Sequence, residues 1–94
     1  MEESASGLTR RVTISNVKGL HARASAKFAT KALEFRAQIT VTKDGTTVNA
    51  SSIMGLLMLG ALTGQTITIS AYGPDAAKAV AALVYLVETK FDEA

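Results

Sequence analysis

The stretch Gly19-Leu20-His21-Ala22-Arg23-Ala24-Ser25-Ala26 joins a strand-like run to a helix-like run and contains the only histidine of the chain. Before it, apolar and polar residues alternate from Thr9 to Val17, a pattern typical of a strand that is covered on one side. After it, good helix formers continue to Leu33 without Gly or Pro. The sequence therefore predicts a first strand, a turn at Gly19 and a helix over residues 22–33.

His21 lies at or beside the N-terminus of this predicted helix. The first backbone N–H groups of a helix have no partner within the helix, and the helix dipole adds to their attraction for an anion such as a phosphoryl group. A neutral imidazole nitrogen can act as a nucleophile, and Arg23 offers a planar, permanently charged donor for phosphoryl oxygens. These residues predict covalent phosphoryl transfer through His21, although a lone histidine at a helix start is more often a polar cap.

Length and composition restrict the possible functions. With 94 residues, of which 48% are hydrophobic, the chain can form one domain with a modest core. The absence of cysteine excludes disulfides and thiolate chemistry, and a single histidine supplies too few ligands for a zinc site, so no metal and no cofactor are expected. A net charge of +2 with dispersed basic residues gives little support for a nucleic-acid surface.

The two ends of the domain and its location are also predicted. Residues 1–8 are expected to form a flexible N-terminal tail, and residues 9–94 a single domain. The tail is acidic, unlike a signal peptide, and the longest nearly apolar run, Ile53 to Leu62, falls short of the roughly 20 residues that span a bilayer. We expect a cytoplasmic protein without membrane insertion, for which a monomer suffices.

The rest of the chain predicts three more strands and two more helices. Ala37 to Lys43 and Thr46 to Ala50 alternate around Asp44-Gly45, whose residues tolerate the positive φ of a hairpin turn. Thr66 to Tyr72 alternates in the same way. A last helix is predicted to open at Gly73-Pro74-Asp75 and to run to the C-terminus, because apolar residues recur at helical spacing. These residues are Val80, Leu83, Val84, Val87 and Phe91.

The predicted order of elements is βαββαβα, and it indicates an α+β fold. The strands are apolar on one side and rich in Thr on the other, a pattern that favours helices packed on one face of an antiparallel sheet. The sequence therefore predicts a two-layer sandwich.

A short helix is predicted within the stretch Ser51 to Gly60, because a serine precedes an apolar run of helical length and Gly60 stands where a C-cap would be. As an N-cap, Ser52 would accept a hydrogen bond from its own helix, and this structural role is the default interpretation. A phosphate there would suit the helix dipole and would add nearly two negative charges beside apolar residues. The apolar run itself is either a buried core face, which is the more frequent case, or a partner-docking patch.

Two separated segments resemble the HPr family, the histidine-containing phosphocarriers of the phosphoenolpyruvate-dependent phosphotransferase system. They are Gly19-Leu20-His21-Ala22-Arg23 and Val48-Asn49-Ala50-Ser51-Ser52-Ile53-Met54-Gly55-Leu56-Leu57-Met58-Leu59-Gly60. The resemblance runs from about Thr9 to Phe91 and implies an open-faced β-sandwich with antiparallel strand order 1423 and three helices on one face. Ala24 stands where family members often have proline, which bears on lineage or partner fit rather than on phosphoryl transfer.

The resemblance implies a role for each matching residue. His21 would be phosphorylated on Nδ1 by enzyme I and would pass the group to a IIA protein or domain, while Arg23 would steady the phosphoryl group. Ser52 would be the regulatory serine of an ATP-dependent HPr kinase/phosphorylase. It is preferred to Ser51 because it immediately precedes Ile-Met-Gly. The implied partner-docking residues are Ala22, Ile53, Met54 and Leu57.

Three classes of function follow from these observations. The first is a phosphocarrier that is a substrate of enzymes and not itself an enzyme. The alternative is a regulatory module whose Ser52 phosphorylation controls docking to a kinase or transcriptional partner, in a nitrogen- or carbon-sensing branch without sugar transport. A self-contained enzyme is set aside, because the sequence has no Gly-rich phosphate loop, no cluster of metal ligands and no nucleophile with a triad partner.

Overall fold

The computed structural model describes residues 7–93, in which four strands and three α-helices follow one another in the predicted order. The strands are β1 (Gly7–Thr13), β2 (Gln38–Lys43), β3 (Thr46–Asn49) and β4 (Thr66–Tyr72). The helices are α1 (Ala22–Ala32), α2 (Ile53–Leu59) and α3 (Ala76–Glu88). Over this range, no helix is both long enough and apolar enough to cross a membrane.

The strands form one antiparallel sheet in the order β1-β4-β2-β3, which confirms the predicted α+β fold and its 1423 order. Asp44 and Gly45 join β2 to β3 with φ values of 50° and 82°, as a two-residue hairpin turn requires. Helix α3 packs on β1 and β4, α2 packs on β3, and α1 contacts both other helices. The hydrophobic core therefore lies between the sheet and the helices.

The two faces of the sheet differ in chemistry. The face beneath the helices buries apolar side chains, whereas the open face carries hydroxyl groups that pair across neighbouring strands. The hydroxyls of Thr42 and Thr47, for example, lie 2.7 Å apart. This difference is what made the strands predictable, because side chains alternate between the faces with a period of two. The buried strand residues are Val12, Ile39, Val41, Ile67, Ile69 and Ala71.

The first strand begins earlier than predicted. Gly7 and Leu8 pair with β4 and belong to β1, so the predicted boundary between tail and domain lies two residues too late. The rest of the predicted tail, residues 1–6, lies outside the described residues, as does Ala94.

The first strand also ends earlier than predicted, at Thr13 instead of Val17. Ile14 is still buried, but Val17 lies in a turn with 90% of its surface exposed. An alternating pattern does not distinguish a buried residue that follows a strand from one within it.

The predicted last helix is wrong at both ends. It begins at Ala76, so Pro74 lies just before it and not in its first turn. The Asp75 side chain makes no capping bond to the helix, and its carboxylate accepts the Arg36 backbone N–H at 2.8 Å. Asp75 therefore ties the segment before β2 to the start of α3.

At the C-terminal end, α3 stops at Glu88, and a left-handed turn follows. Lys90, Phe91 and Asp92 have φ values of 59°, 56° and 58°, which are unfavourable for residues that carry a β-carbon. Phe91 is nevertheless fully buried. Apolar spacing thus identified a true core residue and assigned it to the wrong element, and the burial of the Phe91 ring offsets the strain of the turn.

Candidate functional site

His21 is the N-cap residue of α1, as the sequence predicts, and its backbone is extended there. Its ring Nδ1 accepts a hydrogen bond from the Arg23 backbone N–H at 3.3 Å. Its carbonyl oxygen accepts the Ser25 N–H at 2.8 Å, which is the first bond of the helix. Nδ1 therefore lies directly at the end of the helix where N–H groups lack partners within the helix.

The other ring nitrogen is held by the C-terminal segment. Nε2 of His21 lies 2.5 Å from Oε2 of Glu93, and both side chains are about one quarter exposed. A carboxylate only accepts hydrogen bonds, so Nε2 carries a proton, whereas Nδ1 presents a lone pair to the Arg23 N–H. The two contacts together define one ring tautomer.

The contact with His21 holds the pKa of the Glu93 carboxyl below its ordinary value. The His21 hydrogen bond is the largest cause, desolvation opposes it, and the Asn16 hydrogen bond and the charges of His21 and Lys27 lower the pKa further. Glu93 is therefore a carboxylate at neutral pH.

Asn16 connects Glu93 to the loop that precedes His21. Its buried amide donates to the Gly19 carbonyl at 2.7 Å and to Oε1 of Glu93 at 3.1 Å. Its Oδ1 is buried and has no hydrogen-bond partner among the residues that the structure describes. Since an unsatisfied buried acceptor costs about 1–3 kcal/mol, the two donated bonds must determine the orientation of this side chain.

Gly19 lets the same loop lie against the segment that follows α2. Its φ is +65°, and a β-carbon at this position would lie 2.5 Å from the Ala61 carbonyl oxygen. That oxygen accepts the Leu20 N–H at 2.8 Å, and the Thr63 hydroxyl donates to the Asn16 carbonyl. The loop that carries His21 is therefore anchored to the end of α2.

An open depression surrounds His21, and its charged lining is mostly basic. Lys27 reaches across it and donates to the Phe91 carbonyl at 2.7 Å. Over residues 7–93, no ion pair engages the Arg23 guanidinium. An excess of cations favours a bound phosphoryl dianion. The charged lining residues are Lys18, Arg23, Lys27, Lys90, Asp92 and Glu93.

Ser52 is the N-cap residue of the short helix α2, as predicted. Its Oγ accepts the Gly55 N–H at 2.9 Å, and Gly60 closes the helix with a φ of 60°. The adjacent Ser51 hydroxyl is bound differently, since it donates to Oδ1 of Asn49 at 2.6 Å. Ser52 therefore lies at the start of a different helix from His21 and is not among the residues that line the depression.

The apolar run of α2 has both a buried core face and an exposed face. Leu56 and Leu59 are buried in the core, whereas Ile53 and Met54 are 43% and 68% exposed. Leu57 is partly buried, and Ala22 at the start of α1 is exposed. Val17, Met58 and Leu62 are also exposed, although the sequence did not single them out as surface residues.

Three further residues of the site, Asn16, Lys27 and Glu93, could not be predicted from the sequence. Glu93 is 72 positions from His21 along the chain, and no local pattern marks it as a contact of the histidine. Asn16 lies in a predicted strand and Lys27 in a predicted helix, and no local pattern indicates that either side chain belongs to the site.

The order of the elements, and a histidine whose Nδ1 lone pair lies at the N-terminus of α1, define a class of small phosphoryl carriers. The family PTS-HPr, described as the PTS HPr component phosphorylation site, matches residues 8–89. The chain therefore belongs to the HPr family of the phosphotransferase system, and it is a phosphocarrier rather than an enzyme.

Individual relatives agree with this assignment. The phosphocarrier protein NPr of Shewanella violacea is 49% identical over 87 residues, which cover 93% of this chain and 96% of that protein. The crystal structure of HPr-C-His from Thermoanaerobacter tengcongensis has a TM-score of 0.89 at 45% identity, covering 93% of this chain and 98% of that one. A crystal structure described as an HPr dimer from the same organism has a TM-score of 0.74 at 48% identity, covering 87% and 94%.

Proposed function

We propose that this protein accepts a phosphoryl group from phospho-enzyme I on Nδ1 of His21 and passes it to a IIA protein or domain in the cytoplasm. The observation that carries the proposal is the arrangement of the ring, whose Nε2 is bound to Glu93 while Nδ1 lies at the helix N-terminus. Nδ1 is thus the nitrogen with an available lone pair, and it is placed where an anion is favoured.

The surroundings of Nδ1 support the same role. The Arg23 N–H that now bonds to Nδ1 is free to bond to a phosphoryl oxygen once Nδ1 is occupied. The Arg23 guanidinium, which lines the depression, can add two parallel hydrogen bonds to the phosphoryl oxygens. These groups bind the phosphoryl group and orient it, and partner proteins supply the remaining catalytic groups.

The test is incubation with phosphoenolpyruvate and a catalytic amount of enzyme I, followed by intact mass measurement before and after mild acid. Wild type is expected to gain one phosphoryl group that acid removes, and His21→Ala is expected to gain none. A folded wild type that gains no phosphoryl group from a competent enzyme I contradicts the proposal.

The docking surface proposed for both partners is the exposed side of α2 with the adjacent start of α1. It comprises Ala22, Ile53, Met54 and Leu57. Ile53 and Met54 are large, exposed apolar side chains, which are typical of protein contact sites. Because the loop carrying His21 is anchored to the end of α2, a partner that docks there can also reach Nδ1.

Regulation by phosphorylation of Ser52 is a second, compatible proposal, with an HPr kinase/phosphorylase as the enzyme. The Ser52 hydroxyl accepts one bond and keeps its own hydrogen available, whereas the Ser51 hydroxyl is committed to Asn49. ATP and such a kinase are expected to modify wild type and Ser51→Ala but not Ser52→Ala. Partner binding that depends on Ser52 and survives His21→Ala would favour the regulatory module over the carrier.

A further inference from the structure

We propose that Glu93 is a positioning residue for phosphoryl transfer: its carboxylate holds the proton on Nε2 of His21 and thereby reserves the Nδ1 lone pair for the phosphoryl group. This inference rests on the proposed function and extends it to the segment after α3. Glu93 is distant along the chain from both the His21 motif and the Ser52 motif.

The left-handed turn at residues 90–92 places Glu93 beside the His21 ring. Phe91 is fully buried and anchors the turn, and Lys27 of α1 donates to its carbonyl at 2.7 Å. The Glu93 N–H donates to the Lys90 carbonyl at 2.9 Å. Three consecutive positive φ values are costly for residues with β-carbons, and a turn that retains them is held by its surroundings. The burial of Phe91 and the Lys27 bond therefore hold the turn in the position that brings Glu93 to His21.

The carboxylate is also oriented from its second oxygen. Oε2 faces Nε2 of His21, while Oε1 accepts the buried amide of Asn16 at 3.1 Å. Asn16 uses both of its donated bonds, one to the His21 loop and one to Glu93, and leaves its own Oδ1 without a partner among the described residues. The loop, the ring and the carboxylate are thus joined in one hydrogen-bonded unit.

Hydrogen bonds and one nearby lysine keep Glu93 ionised. Glu93 lines the depression together with Lys18, Arg23, Lys27, Lys90 and Asp92. The His21 hydrogen bond, with smaller contributions from Asn16 and Lys27, holds the pKa of Glu93 below its usual value despite desolvation. The carboxylate therefore remains an acceptor at the neutral pH of a phosphoryl-transfer assay.

The Nε2 proton assists both transfer of the phosphoryl group to His21 and its transfer away from His21. When the Nδ1 lone pair attacks phosphorus, a new N–P bond forms, the bond to the donor atom breaks, and its electron pair stays on the donor. The His21 ring becomes cationic, its proton stays on Nε2, and the adjacent carboxylate offsets the charge. When the group moves on, the same proton lets the ring leave as neutral imidazole and not as an imidazolate anion.

The test compares Glu93→Gln and Glu93→Ala with Asp92→Asn as the matched control. Asp92 lines the same depression without bonding to His21, and asparagine tolerates its positive φ. Two quantities are measured in each protein: the ¹⁵N signals of the His21 ring, which report the tautomer, and the initial rate of phosphoryl transfer from enzyme I. Far-UV circular dichroism checks that each variant is folded.

We expect ring signals in wild type and Asp92→Asn that show a protonated Nε2 and a lone pair on Nδ1. In Glu93→Ala the two tautomers should mix, and both Glu93 variants should accept the phosphoryl group about tenfold more slowly, as loss of a charge-assisted hydrogen bond implies. Unchanged ring signals and rates in both folded Glu93 variants would overturn the inference and leave the carrier function intact. A wild type that accepts no phosphoryl group would overturn both.

Discussion

At the scale of single residues, the site depends on how the two nitrogens of one ring are bound. Nδ1 has a long bond to a backbone N–H, which is easily exchanged, and Nε2 has a short bond to a carboxylate. The sequence predicted His21 and its position at a helix start, because a glycine and a run of helix formers mark that place. It did not predict the tautomer, because Glu93 approaches only through tertiary structure.

Acid stability should depend on Glu93. The His21 hydrogen bond lowers its folded-state pKa below the ordinary value of 4.5, so its stabilising contribution is complete above the unfolded-state pKa and is lost as the pH falls through the folded-state pKa. We expect the free energy of urea unfolding to fall further for wild type than for Glu93→Gln between about pH 6 and about pH 3. Asp92→Asn should follow wild type, and an equal acid dependence in wild type and Glu93→Gln contradicts the prediction.

Gly19 is a position where only glycine fits. An alanine β-carbon would lie 2.5 Å from the Ala61 carbonyl in addition to having a positive φ. We expect Gly19→Ala to lower the free energy of unfolding by about 3 kcal/mol or more. Gly45→Ala is the matched control, because it also has a positive φ but would meet no atom within 4 Å, and it should cost about 1–2 kcal/mol. Equal losses in the two variants would show that the contact with Ala61 is unimportant.

At the scale of elements, what the sequence predicted well was set by local rules. The hairpin at Asp44-Gly45, the caps of α2 and the alternation of β4 each depend on neighbours along the chain, and all three are confirmed. The predicted C-terminal ends of β1 and α3 were wrong, because a buried residue follows each element: Ile14 after β1 and Phe91 after α3. Phe91 satisfies a helical spacing while it lies in a left-handed turn, and no local rule separates these cases.

Helix α2 joins the proposed regulatory residue to the loop that carries the histidine. Ser52→Asp should keep the helix capped, because aspartate is a good N-cap, while it places a permanent negative charge at the docking surface. We expect a slower initial rate of His21 phosphorylation by enzyme I at subsaturating carrier, with little change in unfolding free energy. Ser51→Asp is the control, and equal rates for Ser52→Asp and wild type would exclude the coupling.

The exposed side of α2 allows a direct test of docking. Met54 is 68% exposed, so Met54→Asp removes apolar contact area without opening a cavity in the core. The phosphorylation rate at low carrier concentration should fall about tenfold or more, while the unfolding free energy changes by less than about 0.5 kcal/mol. Tyr85→Asp on α3 is the control, because Tyr85 is equally exposed. An unaffected rate in Met54→Asp means that partners dock elsewhere.

At the scale of the whole molecule, we expect a monomer that exchanges partners. Light scattering at assay concentrations should give the mass of one chain, 9.8 kDa. One structural neighbour is described as an HPr dimer, so twice that mass is the specific alternative outcome. A stable dimer would contradict the monomer prediction and would require that the His21 face be tested for accessibility in the dimer.

The paired hydroxyls of the open sheet face bear on how the carrier moves between its partners. Thr9 pairs with Ser70, Thr13 with Thr66 and Thr42 with Thr47, so these hydroxyl groups bind one another across the strands. We expect donor and acceptor both to bind on the opposite, helix side, where the proposed docking surface lies. The two partners would then bind in turn, and the rate of phosphoryl delivery would depend on how quickly each complex dissociates.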